Sequence, residues 1–382
     1  MGAAAANSRT TSPDSQETPN TQVLTPFVIA QVSTSHAEPF PREGSPITND
    51  TLTVVDGLLV GHAQDEVGCT GCTAVLFPDA AQVAVDARGS APGTYDTESL
   101  GATMAFTRKY AIFFAGRSIY GLDVVPGIRR FLEEKGWGWQ SPLGFIAGVS
   151  GAILFDAIGT VTRRPTAETG YAAAQAAVSG PVAEGNAGAG MGATVGKFGD
   201  WRRRMKGGLG SSGVVLPNGL AIGALVVVNA VGNVIDPATG AVVAGVRDGQ
   251  GGFVRWQDHV AQGMPPLTTA RGTTIGLVAT NADLSHKGVM KMAEVAHDGL
   301  ARAVVPAHLT GDGDTFFAAA TGKKKLAELE GPSWPEWPDK FSPNWIDVLS
   351  QLAAEHVARA VLRAVRAARG VHGVPAMGDA GA

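Results

Sequence analysis

The run Gly272-Thr273-Thr274-Ile275-Gly276-Leu277-Val278-Ala279-Thr280-Asn281 constrains this chain more than any other stretch. Its β-branched and small apolar residues favour a buried, pleated strand. A glycine stands directly before the threonine that opens it. A Thr hydroxyl is a poor nucleophile at its own pKa and needs an adjacent base. The nearest is the α-amino group of the same residue, which exists only if the preceding peptide bond is cut. Gly272 gives the backbone the freedom such self-cleavage requires. The same three residues also read simply as the start of a strand, so the surroundings must decide.

Composition narrows the classes. Of 382 residues, 45% are hydrophobic and 17% charged, as expected of a folded protein with one large or two ordinary domains. A net charge of −4 argues against nucleic acid or an anionic membrane as partner. No stretch approaches the roughly 20 apolar residues of a membrane span, and no basic, then apolar leader is evident at the N-terminus. A cytoplasmic location is the expectation. The 51 glycines are about twice the usual share and have no fixed period, which points to tight turns and close backbone approaches.

Residues 1–48 are rich in Ser, Thr, Pro, Asn and Gln and read as a disordered tail, with a short ordered piece around Pro26–Val32. A single catalytic domain is expected over 49–370, and a frayed tail over 371–382. Within the domain, Leu52–Val60, Thr73–Phe77, Gln82–Val85, Ala111–Ala115, Leu143–Val149 and Ala152–Phe155 read as strands. Pro217-Asn218-Gly219 joins Ser211–Leu216 to Leu220–Asn229 as a hairpin. Helices are expected at Gly121–Lys135, with Pro126 near its first turn or marking a kink, and at Thr166–Val178, Leu284–Ala303 and Ile346–Arg369. This mixture lacks a regular βαβ period. It fits an α/β (α+β) layered sandwich, with helices packed over stacked β-sheets.

Several motifs lead nowhere. Cys69-Thr70-Gly71-Cys72 lacks a second ligand pair for zinc and runs into a strand, so two buried thiols at a turn are expected. Gly188–Lys197 imitates a phosphate loop, but Met191 and Phe198 stand where that motif needs Gly and Ser or Thr. No Gly-x-Ser-x-Gly elbow occurs. The eight histidines are scattered, and His308 reads as structural.

Taken together, the chain resembles the self-cleaving peptidase family that includes the L-aminopeptidase/D-esterase, the β-aminopeptidases and the endo-type nylon-oligomer hydrolases. The resemblance runs from about Leu52 to Gly322. It rests on Val60-Gly61-His62, Thr70-Gly71-Cys72-Thr73, Val85-Asp86-Ala87-Arg88-Gly89-Ser90-Ala91-Pro92-Gly93-Thr94, Gly121-Leu122-Asp123, Gly188–Lys197, Gly272-Thr273-Thr274 and Asp312-Gly313-Asp314-Thr315. It implies an N-terminal-nucleophile-hydrolase-like αββα fold. It also implies a precursor that cuts itself between Gly272 and Thr273 into an α chain (1–272) and a β chain (273–382).

By position, the resemblance makes Thr273 the nucleophile, Asn229 an oxyanion donor, Lys197 a cation near the nucleophile, and Asp312 with Asp314 the carboxylate pair of the nylon branch. A structural reading stays open for each: Asn229 ending a strand, Lys197 a solvated loop charge, Asp312-Gly313-Asp314 a turn. Gly272 follows the aminopeptidase branch, whereas the nylon branch has Asn there. Phe155 stands where some members carry a Tyr donor, and a Phe cannot donate. Arg117 replaces a second Gly, a cation that could reshape the substrate cleft.

The implied activity is hydrolysis of short peptides, amino-acid amides or esters, or ω-amino-acid oligomers. No metal or organic cofactor is called for. The partners implied are the small amide or peptide substrate and further copies of the chain, as a tetramer of αβ units. Two alternatives remain on the sequence: an acyltransferase of the ornithine acetyltransferase type, and a catalytically silent ligand-binding homologue.

Overall fold

Nine strands hydrogen-bond into one sheet in this computed structural model, which describes residues 49–156, 158–160, 162–263, 271–329 and 343–379. The tail 1–48, its Pro26–Val32 piece and the Pro265-Pro266 loop lie outside the described residues. The strands are β1 (Leu59–Asp65), β2 (Thr70–Ala87), β3 (Thr94–Tyr95), β4 (Arg108–Ala115), β5 (Val149–Ile153), β6 (Gly208–Val215), β7 (Ala221–Asn229), β8 (Thr273–Ala282) and β9 (Thr315–Lys324). Their order is β6-β7-β8-β9-β2-β4-β5-β3, with β1 paired to β2. The helices are α1 (Val125–Glu134), α2 (Ala167–Gln175), the short α3 (Trp256–Ala261), α4 (His286–Ala303) and α5 (Pro343–Ala367).

The expected stacked sheets are two halves of this one sheet, and side-chain alternation shows how. Leu225, Val227, Ile275, Leu277 and Phe317 from β7–β9 share a core with Val75, Phe77, Ile112 and Phe114 from β2 and β4. The opposite faces are covered separately. Val226, Val228, Val278, Phe316 and Ala318 meet α4 and α5, while Ala74, Leu76, Ala111 and Phe113 meet α1 and α2. The layers are therefore helix, sheet, sheet, helix. Each fully buried Val, Leu, Ile or Phe contributes roughly 1.5–3 kcal/mol to holding them together.

Strand β2 makes the two halves continuous. It is 18 residues long and runs from β4 and β1 at one end to β9 at the other. Its register against β4 shifts between Leu76 and Ala81, where Ala80 takes a left-handed φ of 58°. Thr73–Phe77 and Gln82–Val85, expected as two strands, are the arms of this irregular one.

Elsewhere the expected elements form with shifted ends. The Asn218-Gly219 turn joins β6 to β7, with Gly219 at φ +81°. Pro126 sits in the first turn of α1. Leu52–Val54 is a 3-10 turn and not the start of a strand, and Gly144–Ile146 belongs to a separate hairpin. Helices α1 and α2 approach closely: a Cβ on Gly127 would stand 1.6 Å from the Ala167 carbonyl oxygen. Past Gly370, where fraying was expected, Val371 bridges Val374, the Pro375 carbonyl accepts from the Lys206 N–H at 2.8 Å, and Ala376 is buried. Among the described residues no helix is long and apolar enough to cross a membrane.

Candidate active site

Strand direction gathers the candidate residues at one end of the sheet. Strand β7 runs antiparallel to β8 and ends at Asn229, which pairs with Thr273, the first residue of β8. Strand β9 runs parallel to β8 and begins at Thr315, so the preceding Asp312-Gly313-Asp314 lies beside Gly272–Thr274. Residues 44 and 39 positions from Thr273 in sequence thus become its lateral neighbours.

The Thr273 hydroxyl donates to the carbonyl oxygen of Gly272, at 2.5 Å. The same oxygen accepts from the Gly313 N–H at 3.1 Å. Gly272 has no room for a side chain, because a Cβ would stand 2.5 Å from the Val231 nitrogen and 2.8 Å from Asp312 Oδ1. Gly313 is pressed as closely, its Cβ position lying 2.9 Å from Thr273 Oγ1.

The two aspartates are held differently. Asp314 Oδ1 accepts from the Thr274 N–H at 2.7 Å, and Oδ2 accepts from the backbone N–H and Nδ1 of His308, both at 3.0 Å. Asp312 Oδ2 accepts from the Leu309 N–H at 2.9 Å, and Oδ1 is buried without a hydrogen-bond partner among the described residues. Burial, and then the neighbouring Asp314 charge, push the Asp312 carboxyl up to about 7.

Lys197 is buried and donates to the Asn229 backbone oxygen at 2.8 Å, to Asn229 Oδ1 at 2.7 Å and to the Arg271 carbonyl at 3.4 Å. Burial lowers its amine to about 7, against the pull of the Asp312 charge. The Thr194 N–H also points at Asn229 Oδ1, at 3.0 Å, while Asn229 Nδ2 donates to the Phe155 carbonyl at 3.0 Å. Two donors on one side and an acceptor on the other fix which way the amide faces. One of its two N–H donors remains uncommitted to Phe155. The Gly188–Lys197 run, which imitates a phosphate loop, serves here to carry Thr194 and Lys197 to Asn229.

Three contributors were not legible in the sequence. The Gly313 N–H and the Phe155 carbonyl are backbone groups, which no residue pattern announces. His308, set aside as structural, reaches Asp314 through a left-handed φ of 59°. The expectation for Arg117 needs correction. Its guanidinium is buried among the carbonyl oxygens of Gly68, Asp156, Ile158 and Thr160, so it ties these backbone groups together and does not shape a cleft. Cys69 and Cys72 are free, buried thiols. Among the described residues, no group of three or more His, Cys, Asp or Glu is arranged to hold a metal ion.

Residues 50–377 match the family described as peptidase family S58. The chain belongs to peptidase family S58. It is 38% identical over 355 residues to an uncharacterized aminopeptidase of Mycobacterium leprae (strain TN), covering 85% of this chain and 92% of that one. It is 35% identical over 318 residues to a 6-aminohexanoate-oligomer endohydrolase of Kocuria sp. (strain KY2), covering 81% and 84%. The S58 chain is thus a hydrolase acting on peptide or amide bonds.

Solved structures agree on the fold. A Burkholderia sp. beta-aminopeptidase superposes with a TM-score of 0.64 at 22% identity, covering 88% of this chain and 92% of the other. The l-aminopeptidase D-ala-esterase/amidase of Ochrobactrum anthropi, described as a new variant among the ntn hydrolase fold, gives 0.62 at 20% identity, covering 86% and 89%.

Proposed function

We propose that this S58 member is made as a precursor of one catalytic domain (49–370) that cuts itself between Gly272 and Thr273. The products are an α chain of residues 1–272 and a β chain of residues 273–382. In the first step Thr273 Oγ attacks the Gly272 carbonyl carbon, the bond to the Thr273 nitrogen breaks, the hydroxyl proton passes to that nitrogen, and an ester replaces the amide. Water then hydrolyses the ester, releasing the Gly272 carboxylate and the Thr273 α-amine.

That amine, with an ordinary pKa of about 7.7–8.0, is the general base of the mature enzyme. It takes the Oγ proton as Oγ attacks a substrate amide and returns it to the leaving amine. Water resolves the acyl-enzyme. Asn229 donates to the developing oxyanion through its free N–H, Lys197 holds the Asn229 acceptor side, and Asp312 with Asp314 orient the Thr273 amine. No metal or organic cofactor enters this scheme.

The observation that carries the reading is the 2.5 Å hydrogen bond from Thr273 Oγ1 to the Gly272 carbonyl, the hydroxyl resting on the peptide bond it would cut. The substrates proposed are short peptides, amino-acid amides or esters, and ω-amino-acid oligomers. The last are suggested by the relative named a 6-aminohexanoate-oligomer endohydrolase. The working form proposed is a cytoplasmic homo-oligomer, a tetramer of αβ units, acting without nucleic acid or membrane. Intact mass spectrometry under denaturing conditions tests the scheme. Two species dividing after Gly272 in the wild type, and one uncut species for Thr273→Ala, are expected. A wild-type chain that stays whole on long incubation refutes it.

A further inference from the structure

The two carboxylates beside Thr273 are not equivalent. Both oxygens of Asp314 are engaged, Oδ1 by the Thr274 N–H and Oδ2 by two donors of His308. Asp312 has one oxygen engaged and one buried oxygen without a hydrogen-bond partner among the described residues, close against Gly272. We propose that His308 is a positioning residue of this S58 site, clamping Asp314 with its backbone and ring N–H groups so that Asp312 is left as the free member of the pair. This rests on the self-cleaving Thr273 reading.

The geometry of the clamp is specific. A φ of 59° at His308 turns its backbone N–H and its Nδ1 onto the same carboxylate oxygen, a conformation that costs a residue with a Cβ and is kept here. Because a carboxylate only accepts, Nδ1 must carry the hydrogen. The ring is held from behind by His297 of α4, whose ring centre lies 4.9 Å away and edge-on. His297 itself donates from Nε2 to the Asp86 carbonyl at 3.0 Å and is kept neutral by burial, its pKa pushed down to about 4.

Charged groups among the described residues act on either side of the cluster. Lys197 acts on Asp312, while Asp86, with Arg88 paired to it at 2.8 Å, stands beyond His297. None of them donates a hydrogen bond to Asp314. The side-chain donor on Asp314 Oδ2 is His308.

The clamp on Asp314 has a consequence for the pair. Two close buried carboxylates titrate as a pair, and a donor on one of them stabilises the negative charge of the whole. Removing the His308 ring therefore makes every deprotonation of the pair harder. The acid limb of the rate profile moves to higher pH whether the working form carries one proton or none.

The test compares His308→Gly with His308→Asn in the full chain. Both substitutes accept a left-handed φ, but only Asn restores a donor near the Nδ1 position. Precursor made by cell-free synthesis is followed by intact mass between about pH 5 and 9, a range on both sides of the Asp312 value of about 7. His308→Gly is expected to slow self-cleavage about ten- to hundredfold at the acid end, the range carried by a hydrogen bond to a charged group, and less at the alkaline end. His308→Asn is expected to recover both rate and profile.

A rate lowered by one factor at every pH, or not lowered, overturns the proposal. If the Gly chain does not fold, ¹⁵N NMR of wild-type histidines decides. An Nδ1-protonated His308 supports the clamp, and an Nε2-protonated tautomer removes it. A wild-type chain that never cuts removes the proposal together with the reading beneath it. One that cuts while His308→Gly keeps the wild-type profile shape removes the proposal alone.

Discussion

Lys197 and Asp312 should give the uncut chain a stability minimum near neutral pH, and the Thr273→Ala background makes this measurable on one covalent species. Burial holds the Lys197 amine at about 7, against 10.5 ordinarily. Between those values the unfolded chain carries a proton that the folded one lacks, so stability rises with pH. The gain is complete above about 10.5 and absent below about 7. Asp312 has the opposite sign. Its carboxyl is raised from 3.8 to about 7, so the fold holds the extra proton and loses stability as pH rises through that window.

At about 1.4 kcal/mol per tenfold change in proton affinity, each limb is on the order of 4 kcal/mol at full extent. Lys197→Met keeps the apolar stem and removes the alkaline limb, and Asp312→Asn removes the acid one. The two are coupled, because the Asp312 charge raises the Lys197 value. In Asp312→Asn the Lys197 amine should therefore be lowered further, and the alkaline gain should begin earlier. Urea unfolding at half-unit pH steps supplies the free energies. Subtracting Lys197→Met from its parent cancels the groups that Lys197 does not act on, and doing so in the Asp312→Asn background removes the Asp312 contribution as well. A difference that stays flat from about pH 7 to 9.5 refutes the buried, depressed amine.

Three further outcomes are expected. Asn229→Asp keeps an acceptor for Lys197 but removes the Nδ2–H donors, so turnover should fall about 10²–10³-fold, and the melting temperature should fall as well because a carboxylate oxygen then faces the Phe155 carbonyl; turnover near the wild-type rate denies Asn229 an oxyanion role. Arg117→Met removes the guanidinium donors from the buried carbonyl oxygens of Gly68, Asp156, Ile158 and Thr160, and should cost about 3–5 kcal/mol in urea unfolding. A loss below about 1 kcal/mol contradicts the structural role given to Arg117. Cys69 and Cys72 are buried, and burial raises both thiols, so a water-soluble disulfide reagent should label neither in the native chain and both in denaturant. Rapid native labelling would show that the turn opens.

Much of this was readable in the sequence, because the signals were local. The Asn218-Gly219 hairpin, Pro126 at a helix start and the apolar runs of β7–β9 each state their own conformation. The Thr273 and Asp312-Gly313-Asp314 segments stand out by residue type and Asn229 only through the family resemblance, and the sheet brings them together. What stayed hidden depends on placement across long sequence distances. One strand of 18 residues looked like two because its register slips at Ala80. Arg117 looked like a cleft residue because nothing in its neighbourhood reveals the four carbonyls that surround it. His308 looked structural because its reach to Asp314 requires a left-handed φ that only the fold enforces.

The position of the proposed cut within the sheet bears on whether the fold survives it. Thr273 is the first residue of β8, and its ladder partners run from Asn229↔Thr273 to Ile222↔Thr280 on one side and from Ile275↔Thr315 onward on the other. Breaking the bond before Thr273 therefore leaves every β8 ladder pair in place. The change falls on Gly272, which loses its covalent hold but stays tied to Asp312 through the bridge beside the Gly313 N–H. A cut two residues later would release Thr274, whose N–H binds Asp314. One made at 272 frees an amine at the mouth of a ladder that still holds Thr273 between Asn229 and the Asp pair. A nucleophile created in that way needs no refolding to be in position, which is the physical sense in which this strand end suits the S58 reaction.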